Sequence, residues 1–321
     1  MFTLDELQHA QTIVGRHVPP SAQLSWPLLS QRLGAETWVK HENHNPTGAF
    51  KVRGGLTYVE RLVRERHEVR RLISATRGNH GQSLALAGRL YELPVTIVAP
   101  HGNSAEKNAA MRALGAELIE HGADFDAARD EARRRSSEEG AEMVPSFDRD
   151  LVIGVATYAL ELLTAVPDLD TLYVPIGLGS GIVGCILVRD LLGLKTRIVG
   201  VQATGAPSYA LSFDAGRPVT TAAAATLADG IATRIPDPVA VEIVNAGADR
   251  IVQVTDDEIA EAIRIYWSDT HNLAEGGGAA GLAAALQERG RLAGTKVGLV
   301  LTGGNIDAGL FDSWVRPRPP E

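Results

Sequence analysis

An α/β fold with mostly parallel strands is what this 321-residue sequence predicts. Three observations carry that prediction. Short apolar runs rich in Val, Ile and Leu alternate with amphipathic stretches of helical period, the pattern of successive βαβ units. Two of those runs lead straight into glycine-bearing turns, at 76–81 and 177–181, that open helices. The 33 glycines, with many alanines beside them, let helices lie close on a sheet.

Taken in order, residues 1–14 are amphipathic, and Thr3 with Glu6 has the spacing of a capping box. Segment 45–55 (Asn-Pro-Thr-Gly-Ala-Phe-Lys-Val-Arg-Gly-Gly) runs from a small-residue turn into a stretch marked by Leu56, Val59, Leu62 and Val63. Residues 71–75 read as a strand, 82–91 as a helix, 95–99 as a strand and 104–114 as a helix. A strand at 117–120 and a charged helix at 125–139 complete a compact block at 66–149. A second block repeats the alternation, with helix 154–163, strand 171–176, helix 181–191 and strand 197–202. It closes with helices 256–269 and 278–289 and strand 296–301. Segment 205–238, rich in Ala, Gly, Pro and Thr, reads as irregular with one short helix.

Composition bounds the function. The 31 basic residues face 39 acidic ones, and a net charge of −8 disfavours nonspecific nucleic-acid binding. Arg129, Arg133, Arg134 and Arg135 are interleaved with Asp130 and Glu131, so they read as a solvated helix face. No apolar run is long enough to span a membrane, and the first residues lack the basic flank and apolar core of a secretory signal. The one cysteine, Cys185, excludes an internal disulfide and a multi-cysteine zinc site. Its apolar neighbours Ile182, Val183, Ile186 and Leu187 place it in a core. A soluble, cytoplasmic protein is expected.

Three segments carry chemistry. Lys51, between the turn and the amphipathic stretch, could be a desolvated amine with a lowered pKa, able to attack a carbonyl, or an ordinary surface charge. Gly177-Leu178-Gly179-Ser180-Gly181 aims backbone N–H groups and a helix N-terminus at one spot, the arrangement of a monophosphate cup. Read bare, it is also a tight strand-to-helix connection. Gly179 to Gly184 also fits the dinucleotide pattern G-x-G-x-x-G, which expects an acidic residue about 20 positions on. Gln202 and Ala203 stand there instead, and no Gly-Lys-Ser/Thr follows to make a P-loop. The third segment, Ser74 to Gln82, holds Asn79-His80-Gly81, by itself either a polar turn or a ligand loop.

In this order, with Leu301-Thr302-Gly303-Gly304-Asn305, these segments resemble the serine/threonine dehydratase family, over about 3–311. Members are fold-type II enzymes, similar to the tryptophan synthase β subunit, that use pyridoxal 5′-phosphate (PLP). The resemblance implies two three-layer α/β domains with mostly parallel sheets. A smaller domain, 66–149, would be inserted in a larger PLP-binding domain formed by 1–65 and 150–321, with the cofactor between them. It implies that Lys51 forms the Schiff base, that Phe50 lies against the pyridine face and that Asn79 binds the ring's 3′-oxygen. Gly177, Leu178, Gly179, Ser180 and Gly181 would hold the phosphate, Thr302 would face the pyridine nitrogen, and Glu275 would stand near the ring or simply cap a helix. Thr76, Arg77, Gly78 and His80 would form the substrate-carboxylate loop. A hydroxyl at 302 does not stabilise a pyridinium ion as an aspartate would, so the ring is a weaker electron sink and prompt β-elimination is favoured.

Two departures stand out. Arg77 replaces the serine that serine racemases carry before Gly-Asn-His, and an arginine is a poor proton donor and acceptor near neutrality. Racemization is therefore not expected, and Arg77 would pair with a carboxylate, line a larger pocket or lie on the surface. The metal-binding carboxylates of some members correspond to Gln202 and Ser208, so no dedicated metal site is expected. The reading is a PLP-dependent ammonia-lyase that converts an L-β-hydroxy amino acid (threonine or serine, with phenylserine and hydroxyaspartate as alternatives) to a 2-keto acid and ammonia. A β-replacement enzyme, a racemase and a nicotinamide oxidoreductase are the rivals. The resemblance also implies a homo-oligomer, a dimer in the family. The proline-rich end after the last strand suggests no C-terminal regulatory domain.

Overall fold

The computed structural model describes residues 1–315, so the proline-rich end at 317–321 lies outside the described residues. The larger sheet contains β1 (Gln23–Ser25), β2 (Glu36–His41), β7 (Thr171–Pro175), β8 (Arg197–Ala203), β9 (Arg250–Val254) and β10 (Lys296–Leu301). The smaller contains β3 (Leu72–Ala75), β4 (Val95–Ala99), β5 (Glu117–Glu120) and β6 (Glu142–Met143). Their orders are β1-β2-β10-β7-β8-β9 and β5-β4-β3-β6. Only β1, against β2, is antiparallel. Strands such as β4 and β7 are buried at every residue, which is why they read as continuous apolar runs rather than alternating ones.

Each sheet is the middle of three layers. On one face of the larger sheet, Ile259, Ile263 and Leu282 of helices Asp256–Thr270 and Gly276–Gln287 pack with Val201, Leu299 and Leu301. On the other face, helices Leu4–Gly15, Arg149–Ala165 and Ser180–Leu191 bring Leu7, Leu162 and Ile182 against Leu172, Val174 and Val300. Cys185 is buried in that layer. Helices Lys51–Glu65 and Asn79–Leu90 cover one face of the smaller sheet, where Val52, Leu56 and Leu84 meet Leu72 and Ile97. Helix Phe125–Glu139 covers the other, with Ala128 and Ala132 on Ile73 and Val98. Its outer face carries the arginine cluster in ion pairs, as in Arg134 and Arg135 to Glu131, both 2.7 Å.

Several elements differ from the sequence reading. The helix expected at 82–91 begins at Asn79, because Gly78 is extended and serves as its N-cap. Segment 205–238 holds helix Ser208–Ala215 and a single 3₁₀ turn, Asp229–Ile231. It ends at helix Pro238–Gly247, whose Asp237 cap and leading proline are a readable start signal. Strand β2 was hidden by Lys40 and His41, polar residues that the fold buries completely. The loops after β3, β7 and β10, all at carboxyl ends of parallel strands, come together between the two sheets, where open α/β folds bind ligands.

Candidate active site

Lys51 is the first residue of its helix, and its amine donates to Ser180 Oγ over 3.0 Å. Burial lowers the amine's pKa from 10.5 to about 8. The Lys51 carbonyl accepts from Ser83 Oγ at 2.6 Å, and the Phe50 N–H donates to the Thr302 carbonyl at 3.0 Å. The lysine therefore sits on backbone tied to both sheets. Phe50 lies beside it, its ring centroid 5.0 Å from Lys51 Nζ.

Ser180 opens helix Ser180–Leu191 and is buried. Gly179, its N-cap, has φ +99°, a backbone shape that side-chain-bearing residues rarely adopt. A Cβ on Gly179 would lie 2.8 Å from both Ala240 Cβ and Tyr209 Oη, and one on Gly177 would lie 2.5 Å from the Gly230 carbonyl. Tyr209 Oη holds the loop from behind by donating to the Leu178 carbonyl at 2.9 Å. The result is a glycine-lined backbone turn at a helix N-terminus, beside a partly buried amine. That donor set suits a phosphorylated aldehyde, with amides and a hydroxyl for the anion and an amine for the carbonyl.

Asn79 lies across from the cup. Its Nδ2 donates to Glu275 Oε1 at 2.6 Å, and its Oδ1 accepts from Asn305 Nδ2 at 2.8 Å, so one amide hydrogen has no partner among the described residues. Glu275 is buried rather than a solvated cap, and although it is the N-cap of helix Gly276–Gln287 its side chain makes no capping bond. Burial, countered by Lys107 and reinforced by Asp229, pushes its pKa up to about 7. Thr302 is buried at the end of β10, next to a backbone bridge between Gly303 and Ala49.

In the 76–80 turn, Thr76 Oγ1 accepts from the Gly78 N–H at 3.1 Å and keeps its own hydrogen to donate. His80 is buried and its pKa is pushed down to about 3, first by burial and then by nearby Lys51. It hydrogen-bonds the Pro145 carbonyl, while Nε2 has no partner among the described residues. A neutral imidazole that donates to a carbonyl leaves a lone pair on its other nitrogen. His80 therefore offers the turn an acceptor, while Thr76 and the turn's amides offer donors. Arg77 is exposed, and its guanidinium has no hydrogen bond or ion pair among the described residues. Its carbonyl accepts from Asn103.

Arg77, Lys107, Asp229, Glu275 and Asn305 line a cavity of about 310 Å³ between the two sheets. Lys107 crosses that gap to Asp229 at 2.5 Å and lies 3.7 Å from Glu275. Burial would lower its pKa, but Glu275 and Asp229 outweigh burial and raise it. Lys107 and Asp229 gave no sequence signal, since each stands in a polar stretch that reads as surface. Asn305 lies in the 301–305 motif, where an amide beside two glycines is the signal. A more open cleft of about 600 Å³, near Glu36, Asp168 and Lys296, lies at the opposite strand ends, far from this chemistry. Gln202 Oε1 accepts from the N–H groups of Tyr209 and Ala210, and Ser208 Oγ donates to the Thr233 carbonyl. Gln202 thus uses its carbonyl oxygen within the protein, while its buried Nε2 has no partner among the described residues.

The fold and the glycine turn beside a half-buried lysine suit an α/β enzyme class built around a phosphorylated aldehyde. The chain belongs to the pyridoxal-phosphate dependent enzyme family, whose model matches residues 16–303, and its cofactor is PLP. It is 35% identical over 313 residues to an L-threonine ammonia-lyase of Thermotoga maritima, covering 97% of this chain and 78% of that one. It is 32% identical to an L-threo-3-hydroxyaspartate ammonia-lyase of Saccharomyces cerevisiae, covering 95% and 94%. The structure of maize serine racemase superposes with a TM-score of 0.91 at 29% identity, covering 97% of this chain and 96% of that one. Among the described residues no helix is long and apolar enough to cross a membrane.

Proposed function

We propose that this chain is an ammonia-lyase that converts an L-β-hydroxy amino acid of the threonine or serine type to a 2-keto acid and ammonia. The observation that carries the reading is the partly buried Lys51 amine, 3.0 Å from Ser180 at the mouth of the glycine turn. The names of the Thermotoga and yeast relatives support the reaction class. When bound, PLP supplies the electron sink that makes the substrate's α-C–H acidic and lets the β-hydroxyl leave.

Each residue has a part in this reading. Lys51 holds the cofactor and, once the substrate amine displaces it, takes the α-proton at Nζ. Ser180 and the amides from Gly177 to Gly181 bind the phosphate. Phe50 packs against the ring, Asn79 donates to its oxygen, and Glu275 orients Asn79. Thr302 offers the ring nitrogen a hydroxyl, which suits elimination. Thr76, with the amides around Gly78 and His80, receives the substrate carboxylate.

One observation favours a second substrate type. Arg77, whose guanidinium has no partner among the described residues, lies at the cavity and suits a substrate with a second carboxylate such as 3-hydroxyaspartate. The same arginine speaks against a racemase, and Gln202, spent on a helix N-terminus, speaks against a dinucleotide-binding oxidoreductase. A panel of L-threonine, L-serine, L-threo-3-hydroxyaspartate and phenylserine, assayed for keto-acid release, is the test. Release from at least one is expected; release from none, or sulfide-dependent β-replacement instead, overturns the reading. The reading extends to a cytoplasmic homodimer, checked by light scattering of the purified protein.

A further inference from the structure

Behind the helix that carries Lys51 lies a buried charge cluster outside the proposed chemistry. Arg53 is fully buried, and all five of its N–H donors are used. Nε donates to Glu42 Oε2 at 2.7 Å. Nη1 donates to Thr157 at 3.0 Å and to Glu161 Oε1 at 2.7 Å. Nη2 donates to Glu42 Oε1 at 2.9 Å and Glu161 Oε2 at 3.0 Å, with Ser21 at 3.4 Å. Lys40 completes the cluster with a 2.6 Å bond to Glu161. Two cations thus meet two carboxylates with no excess charge.

The cluster grips both flanks of Lys51. Glu42 Oε2 accepts from Asn45 Nδ2 at 2.7 Å as well as from Arg53. One carboxylate therefore ties the turn that begins at Asn45 to the helix that holds Arg53, with Lys51 between them. Residues two apart on a helix point about 200° from each other. Fixing Arg53 toward Glu42 and Glu161 thus sets the rotation of the helix that turns Lys51 toward Ser180.

We propose that Arg53, braced by Glu42 and Asn45, is a positioning residue that aims the Lys51 amine at the cofactor aldehyde. Its effect falls on the bond between the Lys51 nitrogen and the aldehyde carbon, formed with release of one water. It does not fall on the phosphate loop, to which no side chain of the cluster hydrogen-bonds among the described residues. The inference rests on the reading of Lys51 as the cofactor lysine.

The test compares two ligands on the full-length apoprotein, PLP and 4′-deoxypyridoxine 5′-phosphate. The second keeps ring and phosphate but has a methyl group where the aldehyde stands. Arg53→Lys keeps the charge but loses the planar fork, and misplacement of a reacting group by about 1 Å costs roughly 100-fold. PLP capture should therefore slow by up to about 100-fold and PLP affinity should fall, while the deoxy analogue's affinity should hold. Asn45→Ala cuts the other flank without stranding a charge, and should give a smaller loss of the same kind. It decides the matter if Arg53→Lys does not fold. Equal weakening of both ligands in the folded variants makes the cluster merely structural and overturns the inference, as does full PLP affinity in them. If wild-type protein fails to prefer PLP over the analogue, the reading of Lys51 itself fails.

Discussion

Lys51 Nζ and Ser180 Oγ stand 3.0 Å apart although 129 positions separate them in the chain. Ser180 begins a helix whose first N–H groups carry partial positive charge and attract anions. An ammonium is poorly placed there, and burial already favours the neutral amine. In the proposed reading the pair joins a nucleophile to an anion site.

Capture of PLP by the apoprotein should speed up as pH rises through about 8 rather than near 10.5. Below the lowered pKa the amine is protonated and has no lone pair to attack with; above it the free amine predominates. Stopped-flow absorbance would follow the reaction, and a midpoint above 10 would mean that the amine is solvated. Lys51→Ala should abolish keto-acid release, and borohydride should fix the pyridoxyl label on Lys51 alone. A label on another lysine sinks the assignment.

Gly179→Ala forces a Cβ into the left-handed region, at about 1–2 kcal/mol, and against Ala240 and Tyr209. The variant should melt at lower temperature and bind PLP more weakly, while its affinity for unphosphorylated pyridoxal changes little. Isothermal titration with both ligands reads the difference. Equal losses would place the phosphate elsewhere.

Thr302→Asp should retain PLP but add a long-wavelength absorbance band with L-serine, along with slow α-proton exchange. A carboxylate in place of the hydroxyl holds the ring nitrogen protonated and deepens the electron sink. Unchanged spectra with unchanged partitioning would show that residue 302 does not face the ring.

Arg77→Ser should lower kcat/KM about 10- to 100-fold for a dicarboxylic substrate, the scale of one charge-assisted hydrogen bond of about 1.5–3 kcal/mol. L-Serine should be much less affected, because its side chain offers no second charge. Equal losses for both substrates would make Arg77 part of the common carboxylate site. Rapid racemization of L-serine by the wild-type protein would refute its proposed role.

The sequence by itself determined the repeated strand–turn–helix units, the glycine loop at 177–181 and the lysine at 51. These are local features, because a glycine that opens a helix after an apolar strand makes the same cup wherever the strand lies. Tertiary structure alone decided what each charged or polar side chain meets. Placing β10 between β2 and β7 carries Thr302 and Gly303 to the backbone beside Lys51. Packing the two sheets together brings Lys107 to Asp229 and turns Glu275 from its helix N-terminus to Asn79. Arg53 and Lys40 look like surface charges by residue type, yet Glu42 and Glu161 make their burial tolerable. A charge is stable inside a protein only with its partners in place, and those partners lie up to 121 positions away along the chain. Spacing along the chain cannot reveal such pairs; the packing of helix Lys51–Glu65 against helix Arg149–Ala165 and β2 does.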